Sequence, residues 1–148
     1  MTASPMVHVV DDDASMRRSL ARLLGGAGHE VAFYATAEEF LAVAGSSLTG
    51  CILLDLRLPG SSGLELQDRL VELAELRALA ETLSDRQREV WLRVVRGDLN
   101  KQIAHDLRIV ERTVKLHRAK AMEKLHARST ADLVRVAERL GLAGGEGS

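Results

Sequence analysis

The sequence predicts two architectures in succession, an α/β front half built on a short parallel sheet and then an all-α domain of four helices. Three observations carry this. As far as residue 63, apolar runs of strand length alternate with helical patterns, the arrangement of βαβ units. Beyond residue 83 every patterned segment has helical spacing. The charge also divides there: residues 1–83 hold six Arg and no Lys against twelve Asp or Glu, a net −6, whereas residues 84–148 hold fourteen Lys or Arg against nine Asp or Glu, a net +5. The overall net charge of −1 hides this split, in which a basic half suits a polyanionic partner and an acidic half a separate role.

Composition narrows the classes further. Hydrophobic residues make up 46% and charged residues 28% of the 148, a globular balance for one ordinary domain or two small ones. Aromatics at 3% argue against an aromatic platform that stacks bases. The lone cysteine, Cys51, lies in the apolar run Cys51-Ile52-Leu53-Leu54 and reads as a small buried hydrophobe; one cysteine allows no internal disulfide, which fits a reducing compartment. Met1-Thr2-Ala3-Ser4-Pro5 has no signal-peptide pattern and no apolar run reaches membrane-span length, so a cytoplasmic protein without membrane partners is expected.

In order along the chain, Val7 to Val10 is a strand that ends in Asp11-Asp12-Asp13, with Asp13 placed to cap a helix. Met16, Leu20, Leu23 and Leu24 give that helix its apolar stripe, and Gly25, Gly26 and Gly28 stop it. Glu30 to Tyr34 is a second strand, and Thr36 with Glu39 forms a capping box opening a helix to Ala44. Cys51 to Leu54 is a third strand ending at Asp55, and Leu58 to Gly63 is loop. Residues 64–83 lack Gly and Pro. Leu66, Leu73 and Ala80 fall seven apart, Leu76 and Leu83 occupy the matching second frame, Arg69 is a misfit, and Leu70 and Leu79 flank the stripe. That pattern fits a two-stranded coiled coil and equally an amphipathic helix packed on its own domain.

Ser84 with Gln87 is a second capping box; Val90, Trp91, Val94 and Val95 form the inner face of its helix, which ends at Gly97. Asn100 caps a short helix, Lys101 to Leu107, and Arg108-Ile109 turns the chain into a basic helix, Val110 to Leu125. Ser129 caps a last helix through Leu140. Two helices joined by a tight turn are the helix-turn-helix arrangement, whose second helix enters the major groove. With Ile109, Val114, Ala121 and Leu125 inward, Arg112, Lys115, Arg118, Lys120 and Lys124 project outward or sideways, able to neutralise phosphates and reach base edges. A solvated basic helix would carry the same charges.

Leu83-Ser84-Asp85-Arg86-Gln87-Arg88-Glu89-Val90, Asn100-Lys101-Gln102-Ile103-Ala104, Glu111-Arg112-Thr113-Val114-Lys115-Leu116-His117 and Lys124-Leu125 together resemble the LuxR-type helix-turn-helix family over residues 83 to about 140. The resemblance implies a four-helix domain that binds double-stranded DNA as a dimer. It places base-edge contacts on Lys115, Leu116 and Ala119, and phosphate contacts on Thr113, His117, Lys120 and Lys101. Two departures stand out. Val110 replaces a common Ser N-cap, at a cost of about 1 kcal/mol, and Ala119 can meet only a thymine methyl, which shifts readout toward Arg118.

In the front half, Val9-Val10-Asp11-Asp12-Asp13 and Leu54-Asp55-Leu56-Arg57-Leu58-Pro59-Gly60-Ser61-Ser62-Gly63 resemble the receiver domain of two-component response regulators over residues 6–75. Three carboxylates at the carboxyl edge of a parallel sheet suit Mg²⁺, though solvated acids at a helix start are the plainer alternative. The resemblance implies a flavodoxin-like sheet of order 2-1-3-4-5. It makes Asp55 the phosphoacceptor and Asp12, Asp55 and the Arg57 carbonyl Mg²⁺ ligands, with Asp11 acting through water.

A full receiver has five strands, and here the fourth and fifth are missing. Their switch Ser or Thr and phosphate-binding Lys go with them; no lysine precedes Lys101. The expectation is a truncated three-stranded sheet, order 2-1-3, in residues 1–63, a linker or dimerisation helix in 64–83, a DNA-binding domain in 84–142 and a flexible tail in 143–148. Strand three becomes an unguarded apolar edge, so Cys51, Ile52, Leu53, Leu66, Leu73 and Leu76 are expected to form a homodimer. A dimeric, non-enzymatic transcription regulator largely independent of phosphorylation is the leading reading. The alternatives are a switch phosphorylated on Asp55 by a sensor histidine kinase and a module that forms mixed dimers with full-length response regulators.

Overall fold

A computed structural model describes residues 5–44 and 48–143. The signal-peptide and tail expectations fall mostly on 1–4 and 144–148, outside these. The chain divides into two compact units, Met1–Val71 and Glu72–Ser148.

In the front unit, β1 (Val7–Val10) lies at the centre of a three-stranded parallel sheet of order β2-β1-β3, with β2 (Val31–Tyr34) and β3 (Cys51–Leu54) on either side. The register pairs Val7 with Val31 and with Cys51, and runs without a bulge to Val10, Tyr34 and Leu54. This is the expected truncated order. Helix α1 (Ala14–Gly26) is capped by the Asp13 carboxylate, which accepts from the N–H of Ser15 at 2.7 Å and of Met16 at 3.2 Å. It carries through Gly25 and Gly26, two residues beyond the expected stop, and the chain reverses at Gly28, whose φ of +83° suits glycine. Helix α2 (Ala37–Ala44) starts with Thr36 Oγ1 accepting from Glu39 N–H, but the Glu39 carboxylate reaches back to Ala35 rather than to Thr36.

Two expectations fail here. Cys51 is exposed, because β3 is an edge strand and no described strand pairs its outer side. The segment expected as loop contains an antiparallel pair, β4 (Arg57–Leu58) with β5 (Ser61–Ser62), turned by Pro59 and Gly60. Pro presets the first turn position, and Gly60, with φ +78°, supplies the left-handed second. The core of this unit is Val7, Val9, Val10, Phe40 and Leu66, together with His8. His8 lies between Tyr34 Oη (3.2 Å) and the Thr49 carbonyl (3.4 Å) and stacks on the Tyr34 ring.

Helix α3 (Gly63–Glu81) begins in the front unit and ends in the rear one. Leu66 and Leu73 are buried within the single chain, whereas Leu76 and Leu79 are partly buried and pack against the rear core. Of the three expected seam residues on this helix, two are therefore already covered, which favours the packed-helix alternative. Helices α4 (Asp85–Val95), α5 (Asn100–Leu107), α6 (Glu111–Lys124) and α7 (Thr130–Arg139) make the expected four-helix domain. Its core closes around Trp91, Ile103, Val114, Ala121 and Leu133, and the Trp91 indole N–H donates to the Leu133 carbonyl at 3.1 Å. The Ser84 capping box forms as read.

Candidate DNA interface and acidic site

Asn100 turns out to be the first residue of α5, not its cap; Leu99 holds the cap position and its N–H is satisfied by Gln102 Oε1 at 2.8 Å. Asn100 Oδ1 instead accepts from Arg118 at 3.4 Å. The tight turn between α5 and α6 is made by Arg108, a non-glycine residue at φ +55°, and the Ile109 N–H closes it on the Ala104 carbonyl. Val110 stands at the α6 N-cap with no side-chain bond, leaving uncapped donors at the end that would approach a polyanion.

Burial fixes the orientation of α6. Val114 and Ala121 are fully buried and Leu125 nearly so, whereas Arg112, Lys115, Leu116, Ala119 and Lys120 are exposed. Thr113, His117 and Arg118 lie at the margins, half-buried. Arg112, Thr113, Lys115 and Leu116 line a shallow cleft of about 420 Å³. Leu116, 59% exposed, is an apolar side chain on an otherwise charged face, a geometry suited to a base edge or methyl group. Lys115 lies within 3.9 Å of Glu111 and Lys120 within 3.3 Å of Glu123, both loose surface pairs that a phosphate can displace.

Two of the basic residues are occupied inside the domain. Arg118 donates to Thr130 Oγ1 and to Asn100, tying α6 to the starts of α7 and α5. Lys124 donates to the Thr82 carbonyl (2.9 Å) and to Gln87 Oε1 (2.8 Å), so it braces the α4 capping box rather than projecting outward. Sequence spacing could not separate these struts from contacts, because their partners lie 12 to 42 positions away. The sequence also gave no signal for Arg93, which binds Asp98 (2.7 Å) and Asp106 and so locks α4 to α5. The Arg93 guanidinium, and then His105, holds the Asp106 carboxyl below its ordinary value; Asp98 and Asp106 raise the pKa of Arg93 in return. Lys101 is exposed beside this network, in a cleft shared with Arg93, Gln102 and His105.

At the other end of the chain, Asp11, Asp12 and Asp55 meet at the carboxyl edge of the sheet, with one ligand oxygen from each within 4.8 Å of the others. Asp11 Oδ1 accepts from Asp13 N–H (2.8 Å) and Asp55 Oδ1 from Arg57 N–H (2.9 Å), which orients both carboxylates. Arg17 donates to the Asp11 backbone carbonyl at 2.6 Å, not to a carboxylate. All-oxygen donors this close fit a small hard cation such as Mg²⁺, whose ligand oxygens sit ~3–4 Å apart.

Residues 81–137 match the family of bacterial regulatory proteins known as luxR. Nodulation protein W of Bradyrhizobium diazoefficiens is 33% identical over 93% of this chain and 87% of its own length. The transcriptional regulatory protein FixJ of Rhizobium meliloti is 33% identical over 95% of this chain and 97% of its own. This chain belongs to the response regulators with a LuxR-type output domain. The alignment with Nodulation protein W runs over 198 positions, fifty more than this response regulator has residues, so it spans large gaps. Among solved structures, response regulator StyR is similar at 31% identity and TM-score 0.45, covering 93% of this chain and all of that one. Full-length FixJ from B. japonicum is similar at 28% identity and TM-score 0.41, over 95% of this chain and 99% of that one. No helix among the described residues is long and apolar enough to cross a membrane.

Proposed function

We propose that this response regulator is a cytoplasmic transcription regulator that binds double-stranded DNA as a homodimer, largely without phosphorylation. The observation that carries the reading is the face of α6: Arg112, Lys115, Leu116, Ala119 and Lys120 stand exposed on a helix whose other side is sealed into a closed core. Arg112 and Lys120 neutralise phosphates together with Thr113, His117 and Lys101, and Lys115, Leu116 and Ala119 meet base edges. Arg118 acts as a positioning residue, since its donors are used on Thr130 and Asn100.

Independence from phosphate is supported by the missing lysine of the receiver pattern. Residues 1–100 contain no lysine to neutralise a phosphoryl group. Fluorescence anisotropy with a mixed-sequence duplex tests both parts. Binding should fall steeply with salt, Lys120→Ala should reduce the slope of log K against log salt by about 1, and Asp55→Asn should leave binding unchanged. Salt-independent binding would overturn the interface; loss of binding in Asp55→Asn would overturn the independence.

The convergence of Asp11, Asp12 and Asp55 favours a second reading, in which Mg²⁺ on these carboxylates supports phosphorylation of Asp55 by a histidine kinase. A mass increase on incubation with a small phosphodonor and Mg²⁺, lost in Asp55→Asn, would establish it. Mixed dimers with full-length response regulators would appear as co-purification of such a relative.

A further inference from the structure

We infer that the front unit pairs with a second copy of itself through β3, antiparallel, on a twofold axis that passes at Leu53. This rests on the dimeric regulator proposed above and specifies where and how the copies meet.

The ladder decides which backbone groups are free. Cys51 N–H donates to the Met6 carbonyl and Asp55 N–H to the Val10 carbonyl, so the odd-numbered residues of β3 point their N–H and C=O toward β1. Parallel pairing then turns the N–H and C=O of Ile52 and Leu54 outward, to an edge where no described strand lies. Such an edge is a template for another strand. A twofold axis perpendicular to the sheet pairs the two edges antiparallel and places an outward residue opposite an outward residue. Centring on Ile52 sets Leu54 opposite Gly50, which at φ +114° is no strand residue. Centring on Leu54 sets Ile52 opposite Leu56, beyond the strand. Centring on Leu53 sets Ile52 opposite Leu54 in both directions, giving four backbone hydrogen bonds within Cys51–Leu54.

Side chains and charge agree. Residues 51–54 carry no charge, and antiparallel pairing sends the two acidic clusters at Asp11, Asp12 and Asp55 to opposite ends of the combined six-stranded sheet. Leu53 is 42% exposed and lines a cleft of about 260 Å³ with Met16 of α1, itself 49% exposed. Ile52, Leu53 and Leu56, in or next to this edge, and Met16, which shares the Leu53 cleft, are exposed apolar side chains of the kind an interface covers. The helix alternative has less to offer, with Leu66 and Leu73 already buried in their own chain.

The register is directly testable. Leu53 and its symmetry mate form a non-hydrogen-bonded pair with Cα atoms ~4.5–5.5 Å apart, within disulfide reach, whereas the two Cys51 residues lie ~13 Å apart along the strands, beyond it. Under mild oxidation, Cys51→Ser/Leu53→Cys should become a disulfide dimer at least tenfold faster than wild type, whose exposed thiol controls for collisions. Leu53→Lys should be monomeric by light scattering at micromolar concentration, with the fluorescence of Trp91 in the rear unit unchanged. A wild-type dimer in which Leu53→Cys forms no faster crosslink overturns the edge and leaves the dimeric regulator standing. A wild-type monomer, including one captured only by an added full-length relative, overturns both.

Discussion

In the rear unit, each of the four helices α4 to α7 contributes at least one fully buried apolar residue, and Trp91, Ile103, Val114 and Leu133 meet in one closed core. In the front unit, α1 buries no residue, and β3 has three exposed positions out of four. Both units are small, and both obey the same patterning rules. The difference is that α4 to α7 each close an apolar face on one core within the chain, with Leu99, Val110 and Leu116 left exposed, whereas the α1 stripe is only partly covered and the β3 edge has no described strand beside it. A unit with satisfied faces supports a rigid recognition helix. A unit with an open edge is one whose stability is linked to association, since anything that binds only the folded form adds stability by mass action.

The sharpest way to break this comparison is at Gly50. A Cβ there would sit 1.8 Å from the Met6 carbonyl oxygen, at a φ of +114°. Gly50→Ala should therefore separate β3 from β1, at a cost of several kcal/mol. Loss of strand signal and strong exchange of amides in residues 7–10, with the urea transition of Trp91 in place, is the expected result. A Trp91 transition that moves with it would show that the two units unfold together.

The reciprocal change is Ile103→Ala. Ile103 is fully buried in the rear core, and its truncation should cost ~2–5 kcal/mol. Here the Trp91 urea midpoint should fall while the protection of β1 amides is kept. A shift of under 1 kcal/mol would mean that the rear core is looser than its burial implies.

Much of this contrast was legible in the sequence, and what was not has a common cause. The strands, the four rear helices, the Ser84 capping box and the exposure of Arg112, Lys115 and Lys120 on α6 follow from periodicities and motifs within a few residues, and the strand order follows from the receiver resemblance. The buried reading of Cys51 failed because an apolar run specifies a strand but not whether a neighbour exists to cover it. The bonds made by Arg118 and Lys124 were not legible, because helical spacing separates faces by 100° per residue, and a long side chain at the margin can fold back to any acceptor it reaches. Thr130, Thr82 and Gln87 are such acceptors, and nothing in the local sequence marks them. In the acidic site, the meeting of Asp11, Asp12 and Asp55 was legible from strand ends, while the bond from Arg17 to the Asp11 carbonyl was not.

A smaller effect sharpens the comparison from the favourable side. Val110 occupies the N-cap of α6 without a side-chain bond. Val110→Ser should stabilise the rear unit by about 1 kcal/mol, seen as a higher Trp91 midpoint. The gain should be absent from amide protection in the front unit, and its absence from both would mean that the α6 donors are satisfied in another way.

The smallest effect concerns pH. Hydrogen bonding to Arg93 lowers the Asp106 carboxyl below its ordinary value of 3.8. A carboxyl whose folded value is depressed contributes stability that is present above 3.8 and is lost as pH falls through the lower, folded value. Arg93 keeps its charge throughout this range, so the window belongs to the carboxylate. Asp132, lowered by the Arg128 backbone N–H, behaves alike and lies in the same unit. The Trp91 midpoint of wild type should therefore drop on acidification below 3.8, and Arg93→Ala should flatten part of that drop while lowering the midpoint at neutral pH. Because Asp106 is exposed, solvent screens the interaction and the change should be modest. If Arg93→Ala titrates in parallel with wild type, the bond between α4 and α5 is decoration, and the rigidity of the rear unit comes from its apolar core alone.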